Sequence, residues 1–308
     1  MPNVSMTPTY QSSGGSAPAA NVGAAPETRG SALDFLRLLA TEVSNGTVDL
    51  PCFPDVVVRI RHALANPSTT IEKTVAIVGN EPRLSARLLQ TANSAAFNTS
   101  GRPLTDLRSA ITRLGQQLVQ SAAVAYAVQQ MKQAPSLRSI AKPLTELWRD
   151  CILVAAVSQA VAEQSKTSPD EAFLTGLLHG IGRLYIMVRA VGQAEKFGGD
   201  QSFLDLIADW HASIGKAVLE NWGFAESMCN AVGDQDDHER RRTRGDELSD
   251  ILAVSVVLAA TMKNPSSPPI ATEQIRAFQS IGLSAPDCAA ILTQAKHHLG
   301  SLHDALEG

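Results

Sequence analysis

Apolar residues recur three and four positions apart along most of the chain, and no stretch alternates apolar with polar residues over a strand's length. That period predicts helices throughout. Leu33, Phe35, Leu36, Leu38 and Leu39 form the first apolar set, in a short helix that begins near Ser31. Leu50-Pro51-Cys52-Phe53-Pro54 reads as a turn into a second helix, with Val57, Ile60, Ala63 and Leu64 on one face and an end at Asn66-Pro67. Thr69 and Glu72 have capping-box spacing and start a third helix through Val75 and Val78. Glu81-Pro82 starts a fourth, carrying Leu84, Leu88 and Leu89, and Thr105 caps a fifth with Leu107, Ala110, Ile111, Leu114 and Leu118. Pro135 and Pro143 punctuate a connector between two lobes. The second lobe opens with a helix from about Leu144 to Glu163. Ser168-Pro169-Asp170-Glu171 then supplies an N-cap, a proline at N1 and a capping-box glutamate for a helix through Phe173, Leu174, Leu177, Leu178 and Ile181. Further helices are read around 200–221, 225–233, 246–263, 271–279 and at the C-terminus. The fold class is all-α, an N-terminal helical bundle lobe packed on a C-terminal helical lobe.

Composition sharpens this picture. Residues 1–30 are rich in Ser, Gly, Ala, Pro and Asn and have almost no large apolar side chains, so they read as a disordered tail. A helix over 31–47 follows. Hydrophobic residues make up 44% of the chain and aromatic ones 5%, a mix that suits closely packed helices. The net charge is −4, without the basic excess of a dedicated nucleic-acid binder, so no nucleic acid is expected as a partner. Cys52, Cys151, Cys229 and Cys288 are far apart and lack zinc-site spacing, which leaves them as buried free thiols. The most apolar stretch, Leu252 to Ala260, is too short to span a bilayer, and no charged segment precedes an apolar run near the start. A cytoplasmic protein without a membrane partner is therefore expected.

Three stretches carry a resemblance when taken in order. Leu50-Pro51 through Pro54 leads to Gly79-Asn80-Glu81-Pro82-Arg83-Leu84 and to Leu88-Leu89-Gln90-Thr91-Ala92-Asn93-Ser94-Ala95-Ala96-Phe97. Ser109-Ala110-Ile111-Thr112-Arg113-Leu114-Gly115 follows, and then Phe173-Leu174-Thr175-Gly176-Leu177-Leu178-His179-Gly180-Ile181-Gly182-Arg183-Leu184. The set resembles the HDOD domain, the HD-related output domain of bacterial signalling proteins. The resemblance implies an HDOD domain over 48–243, with lobes at about 48–135 and 140–243. Residues 244–308 would complete the HD-like lobe. Within the motifs Asn93 and Ser94 read as a helix terminator shaping the turn into Phe97. Leu114 reads as an apolar motif position beside Gly115. Gly115, in an otherwise good helix, reads as a point of close helix approach, at a cost of about 1 kcal/mol relative to alanine. Gly176 and Gly182 read the same way, or Gly182 as a bend.

The HD superfamily holds metal ions with histidines and aspartates from several helices, and a bridging aspartate follows one histidine. Here that pair reads His179-Gly180, so the bridging carboxylate is missing. Asp150 stands where the resemblance places an earlier histidine, and His211 stands as a retained one. Gln235 and Asp236 replace a later histidine pair, and Ala260 falls near a final aspartate. Two readings stay open. Asp150, His179, His211 and Asp236 could ligate a metal together, or the histidines are satisfied residues of a relic pocket, with no cofactor. Arg240, Arg241, Arg242 and Arg244 form the sharpest charge feature; they read as a solvated loop whose field Asp234, Asp236, Asp237, Asp246 and Glu247 offset, or as a dock for an acidic partner or a phosphate-bearing ligand. The functional expectation is a non-catalytic bacterial signalling module that binds a protein partner. The alternatives are a residual phosphohydrolase on nucleotides or cyclic dinucleotides, and a nucleotide-sensing domain without catalysis.

Overall fold

A computed structural model of the chain describes residues 26–45, 48, 50, 59–60, 63, 68–94, 97–98, 101–165, 167–192, 200–237, 246–264 and 275–306. The turn at 51–54, most of the helix read after it, Cys52 and the first 25 residues lie outside the described residues. Every regular element among the described residues is helical. In order these are α1 (Pro26–Ser44), α2 (Ile71–Gly79), α3 (Pro82–Asn93), α4 (Leu107–Gln133) and a 3-10 turn (Pro135–Ile140). Then come α5 (Ala141–Ala162), α6 (Pro169–Leu178), α7 (Ile181–Arg189) and α8 (Asp200–Asn221). The chain continues through α9 (Glu226–Gly233), α10 (Glu247–Lys263), α11 (Arg276–Ile281) and α12 (Ala285–Leu306).

Several helix starts differ from expectation by a residue. Thr70 rather than Thr69 caps α2, its hydroxyl accepting from the Lys73 N–H at 3.3 Å. The Thr69 hydroxyl donates instead to the Ala63 carbonyl. Asp106 rather than Thr105 caps α4, accepting from the Ser109 N–H at 2.8 Å. Ser168 caps α6 from the Glu171 N–H at 3.3 Å, with Pro169 at N1. Glu171 does not close a capping box, because its carboxylate accepts from the Ser227 hydroxyl at 3.1 Å. The first helix begins at Pro26, inside the stretch read as tail. The connector closes early. Pro143 sits in the first turn of α5, where a missing N–H leaves no hydrogen bond unmade.

Two cores form. Ile60, Val78, Leu84, Leu88, Ile111 and Leu114 anchor the N-terminal one, under α2, α3 and the first half of α4. Asn93 pins the segment after α3 in both directions: its side-chain amide donates to the Leu104 carbonyl at 2.8 Å and accepts from the Leu104 N–H at 2.7 Å. Ser94 bonds back to the Thr91 carbonyl at 2.8 Å, and Phe97 packs against this core. Gly115 adopts φ +75°, and nothing lies within 4 Å of a Cβ built there. The close approach expected of it is therefore wrong; Gly115 makes a kink in α4 that needs left-handed φ.

The second core joins the rest of α4 to α5 through α12, with α10 and α12 against α5. The N-terminal helix also belongs here. Phe35 and Leu39 of α1 are buried in it, and Glu42 accepts from the Tyr185 hydroxyl at 2.8 Å and from Arg189. Two glycines set the helix spacing. A Cβ at Gly176 would lie 2.7 Å from the Ala155 Cα, which lets α6 lie against the alanine-rich α5. A Cβ at Gly182 would overlap the His211 carbonyl oxygen and lie 2.7 Å from the Gly215 nitrogen. The start of α7 thus touches the α8 backbone directly.

Candidate functional site

The helix expected to run on through Ile181 stops at Leu178, and His179-Gly180 turns the chain into α7. The His179 ring folds back on its own helix, with Nδ1 2.7 Å from the Gly176 carbonyl oxygen. A carbonyl can only accept, so Nδ1 carries the proton and Nε2 the lone pair. Burial pushes the His179 pKa down to about 4, and the nearby Arg183 and His211 add to the effect against the Gly176 bond. The ring is neutral at physiological pH.

His211 arrives from α8 because Gly182 lets that helix in. It is buried, and its Nε2 lies 3.0 Å from Asp236 Oδ2 and 3.1 Å from Arg183 Nη2. Its Nδ1 has no hydrogen-bond partner. Gln235 is fully buried and serves the backbone. Its amide donates to the His179 carbonyl at 3.2 Å and to the Val232 carbonyl at 2.8 Å, tying α9 to the α6–α7 corner.

The other expected positions point elsewhere. The Asp150 carboxylate pairs with Lys263 at 2.8 Å. Ala260 is exposed, three residues before that lysine on α10. Gly180 is hemmed in: a Cβ there would lie 2.7 Å from Cys151 Sγ and 2.9 Å from Leu147 Cδ1. The Cys151 thiol is buried and pushed up to about 12, so it is a space-filling neutral group. Beside it, Leu147, Trp148, Cys151 and Gly180 help line an apolar cavity of about 20 Å³, room for one water-sized molecule.

The metal that the HD superfamily implies does not fit these residues. Sulfur and a leucine methyl stand where the bridging carboxylate would start, Asp150 is turned to a lysine, and the Gln235 amide nitrogen is used on two carbonyls while its Oε1 is buried without a hydrogen-bond partner. Among the described residues no three His, Cys, Asp or Glu side chains converge on one point where an ion could be held. The structure does place His211 against Asp236 and within electrostatic reach of His179. Sequence reasoning had Cys151 as a buried free thiol, which it is, and missed Arg183, Leu147 and Lys263. The available signal was spacing: Arg183 follows His179 by one helical turn, and Lys263 follows Ala260 by three residues. Arg240, Arg241, Arg242 and Arg244 lie outside the described residues.

An all-helical HD-like lobe carried on a second helical lobe defines the class. The HDOD domain model matches residues 50–238, and the chain belongs to that family. It is 24% identical over 204 residues to an uncharacterized protein of Treponema pallidum (strain Nichols), covering 63% of this chain but only 39% of that protein. Three solved structures share the fold. One is a protein from Shewanella amazonensis SB2B named "putative metal-dependent phosphohydrolase", with TM-score 0.66, 23% identity, and 88% of this chain and 98% of that one covered. Another is an HDOD domain protein of unknown function from Geobacter sulfurreducens, at 0.58, 21%, 89% and 98%. The third, from Marinobacter aquaeolei VT8, is named "putative signal transduction protein", at 0.64, 19%, 94% and 68%.

Proposed function

We propose that this chain is a non-catalytic signalling module of a bacterial cytoplasm that acts by binding a protein partner. The observation that carries the reading is Gly180. Metal-assisted hydrolysis needs an ion to generate hydroxide near neutral pH. The residue that would bridge such ions has no side chain here, and the space beside its Cα is taken by Cys151 and Leu147. Family membership and the name of the Marinobacter protein agree with a signalling role. No helix among the described residues is long and apolar enough to cross a membrane. Large apolar side chains stand exposed on two packed helices, Leu38 on α1 and Leu204 and Trp210 on α8. Tryptophan is among the residue types most enriched at binding hot spots.

Purified protein with added Mn²⁺ should not hydrolyse cyclic dinucleotides or nucleotide phosphates. A partner captured from the host should bind Trp210→Ala more weakly than wild type, with the fold unchanged. Turnover that disappears on His179→Ala or His211→Ala would replace this reading with the phosphohydrolase one.

A further inference from the structure

Residues four apart on a helix lie in one line along its surface, and residues three apart are neighbours. On α8 this sets Asp205, Asp209 and Ser213 in a line, with Trp210 beside Ser213 on one flank and Leu204 and Ala208 beside Asp205 on the other. All six are exposed, Trp210 by 44% and Leu204 by 56%. Carboxylates on a helix surface are commonly balanced by a lysine or arginine one turn away. Here α8 has no basic residue before Lys216, whose ammonium lies 2.8 Å from Asn230 Oδ1 and 4.0 Å from Glu220. The helix dipole does not account for Asp209 either, because that effect fades within the first turn and Asp209 stands in the third. Among the described residues no cation pairs with Asp209.

We propose that this face of α8 docks an arginine-rich segment of a partner protein, whose guanidinium groups stack on Trp210 and pair with Asp209 and whose apolar residues cover Leu204 and Ala208. The inference rests on the protein-binding reading above and names the chemistry of the partner. Charge complementarity selects the occupant. A nucleic acid or an anionic lipid surface would bring negative charge against Asp205 and Asp209 and be repelled. A basic segment meets both carboxylates with opposite charge. Arginine suits the face better than lysine, because its planar fork pairs with a carboxylate through two hydrogen bonds and its plane stacks on an aromatic ring. Tryptophan is the ring that attracts a cation most strongly. Ser213 is a surface neighbour of both Asp209 and Trp210, and its small side chain leaves room for a planar group to lie across. Each such contact changes affinity by only about two- to fivefold at an exposed site, so the face works through several together.

The test is a fluorescence-anisotropy titration of the full chain against two labelled helical peptides. One has leucines on one face and arginines on the other, and its twin has glutamates in place of the arginines. Wild type should bind the arginine peptide at least about tenfold more tightly than the twin. Trp210→Ala should weaken that binding about fivefold or more at every salt concentration. Asp209→Asn should weaken it at about 0.05 M NaCl and hardly at all at about 0.5 M, since exposed charges are screened. Glu146→Gln removes the same charge from α5, away from this face, and should leave binding unchanged. Equal affinity for the two peptides, no binding of the arginine peptide, or an equal loss in Glu146→Gln overturns the proposal. A wild-type dimer in sedimentation that Trp210→Ala dissociates would give the face to a second copy and overturn it too. A partner from the host that needs Trp210 but binds Asp209→Asn as tightly as wild type would overturn the arginine-rich partner and leave the protein-binding reading intact.

Discussion

His179 shows how little a retained residue says about a retained role. Its position was legible because the His-Gly step sits in a recognisable motif. Its work was not, since a ring that caps the Gly176 carbonyl looks the same in sequence as one that binds a metal. Arg183 was hidden for a related reason: its partner lies on another helix, and no periodicity links the two. The burial of His179 has a measurable consequence. In the folded protein the buried ring resists protonation until about pH 4, whereas in the unfolded chain it takes the proton near the ordinary histidine value of 6.5. The folded-state pKa is depressed, and for a histidine this means the fold favours the neutral ring. The stabilising contribution is therefore complete above pH 6.5 and is lost as pH falls from there towards 4. The amount is on the order of 3 kcal/mol. Urea unfolding at pH 7.5 and 4.5 should show wild type losing more stability on acidification than His179→Gln. Equal losses would mean that the ring is not held neutral.

Among the helices, existence was easier to read than boundaries. Thr69 and Thr70 both have the hydroxyl a cap needs, as Thr105 and Asp106 both have an acceptor oxygen. Only the backbone decides which one faces the open N–H groups. The kink at Gly115 was invisible because Leu107, Ile111, Leu114 and Leu118 keep helical spacing across it. The allegiance of α1 could not be read either. It precedes the N-terminal lobe in sequence but packs on α8 of the other lobe and bonds to Tyr185 and Arg189 of α7 through Glu42. Burying Phe35 and Leu39 is worth roughly 1.5–3 kcal/mol each. Deleting residues 1–25, which have few large apolar groups, should leave the melting temperature nearly unchanged. Deleting residues 1–44 should lower it by several degrees. A protein that melts alike with and without residues 26–44 would show that α1 contributes nothing to the C-terminal lobe.

At the scale of the molecule the helical class followed from composition, but the place where the two cores meet did not follow from Pro135 and Pro143. That join depends on α4, whose first half is core to one lobe and whose Val124, Val128 and Met131 are core to the other. Leu118 packs against both cores. Phe97, Leu118 and Ser121 face Gln159, Asp170 and Phe173 across the seam, leaving a cavity of only about 20 Å³. One lobe cannot melt without stripping half of a shared helix, since a half-buried helix loses most of its stability once its packing is gone. The lobes should therefore unfold together. The chain supplies its own reporter, because Trp148, Trp210 and Trp222 all belong to the C-terminal lobe, whereas far-UV circular dichroism sees the helices of both. In a urea titration the tryptophan fluorescence and dichroism transitions should coincide, as a single cooperative unit requires. Dichroism that begins to fall well before the fluorescence changes would show the N-terminal lobe melting alone, and α4 would then be a linker rather than a common strut.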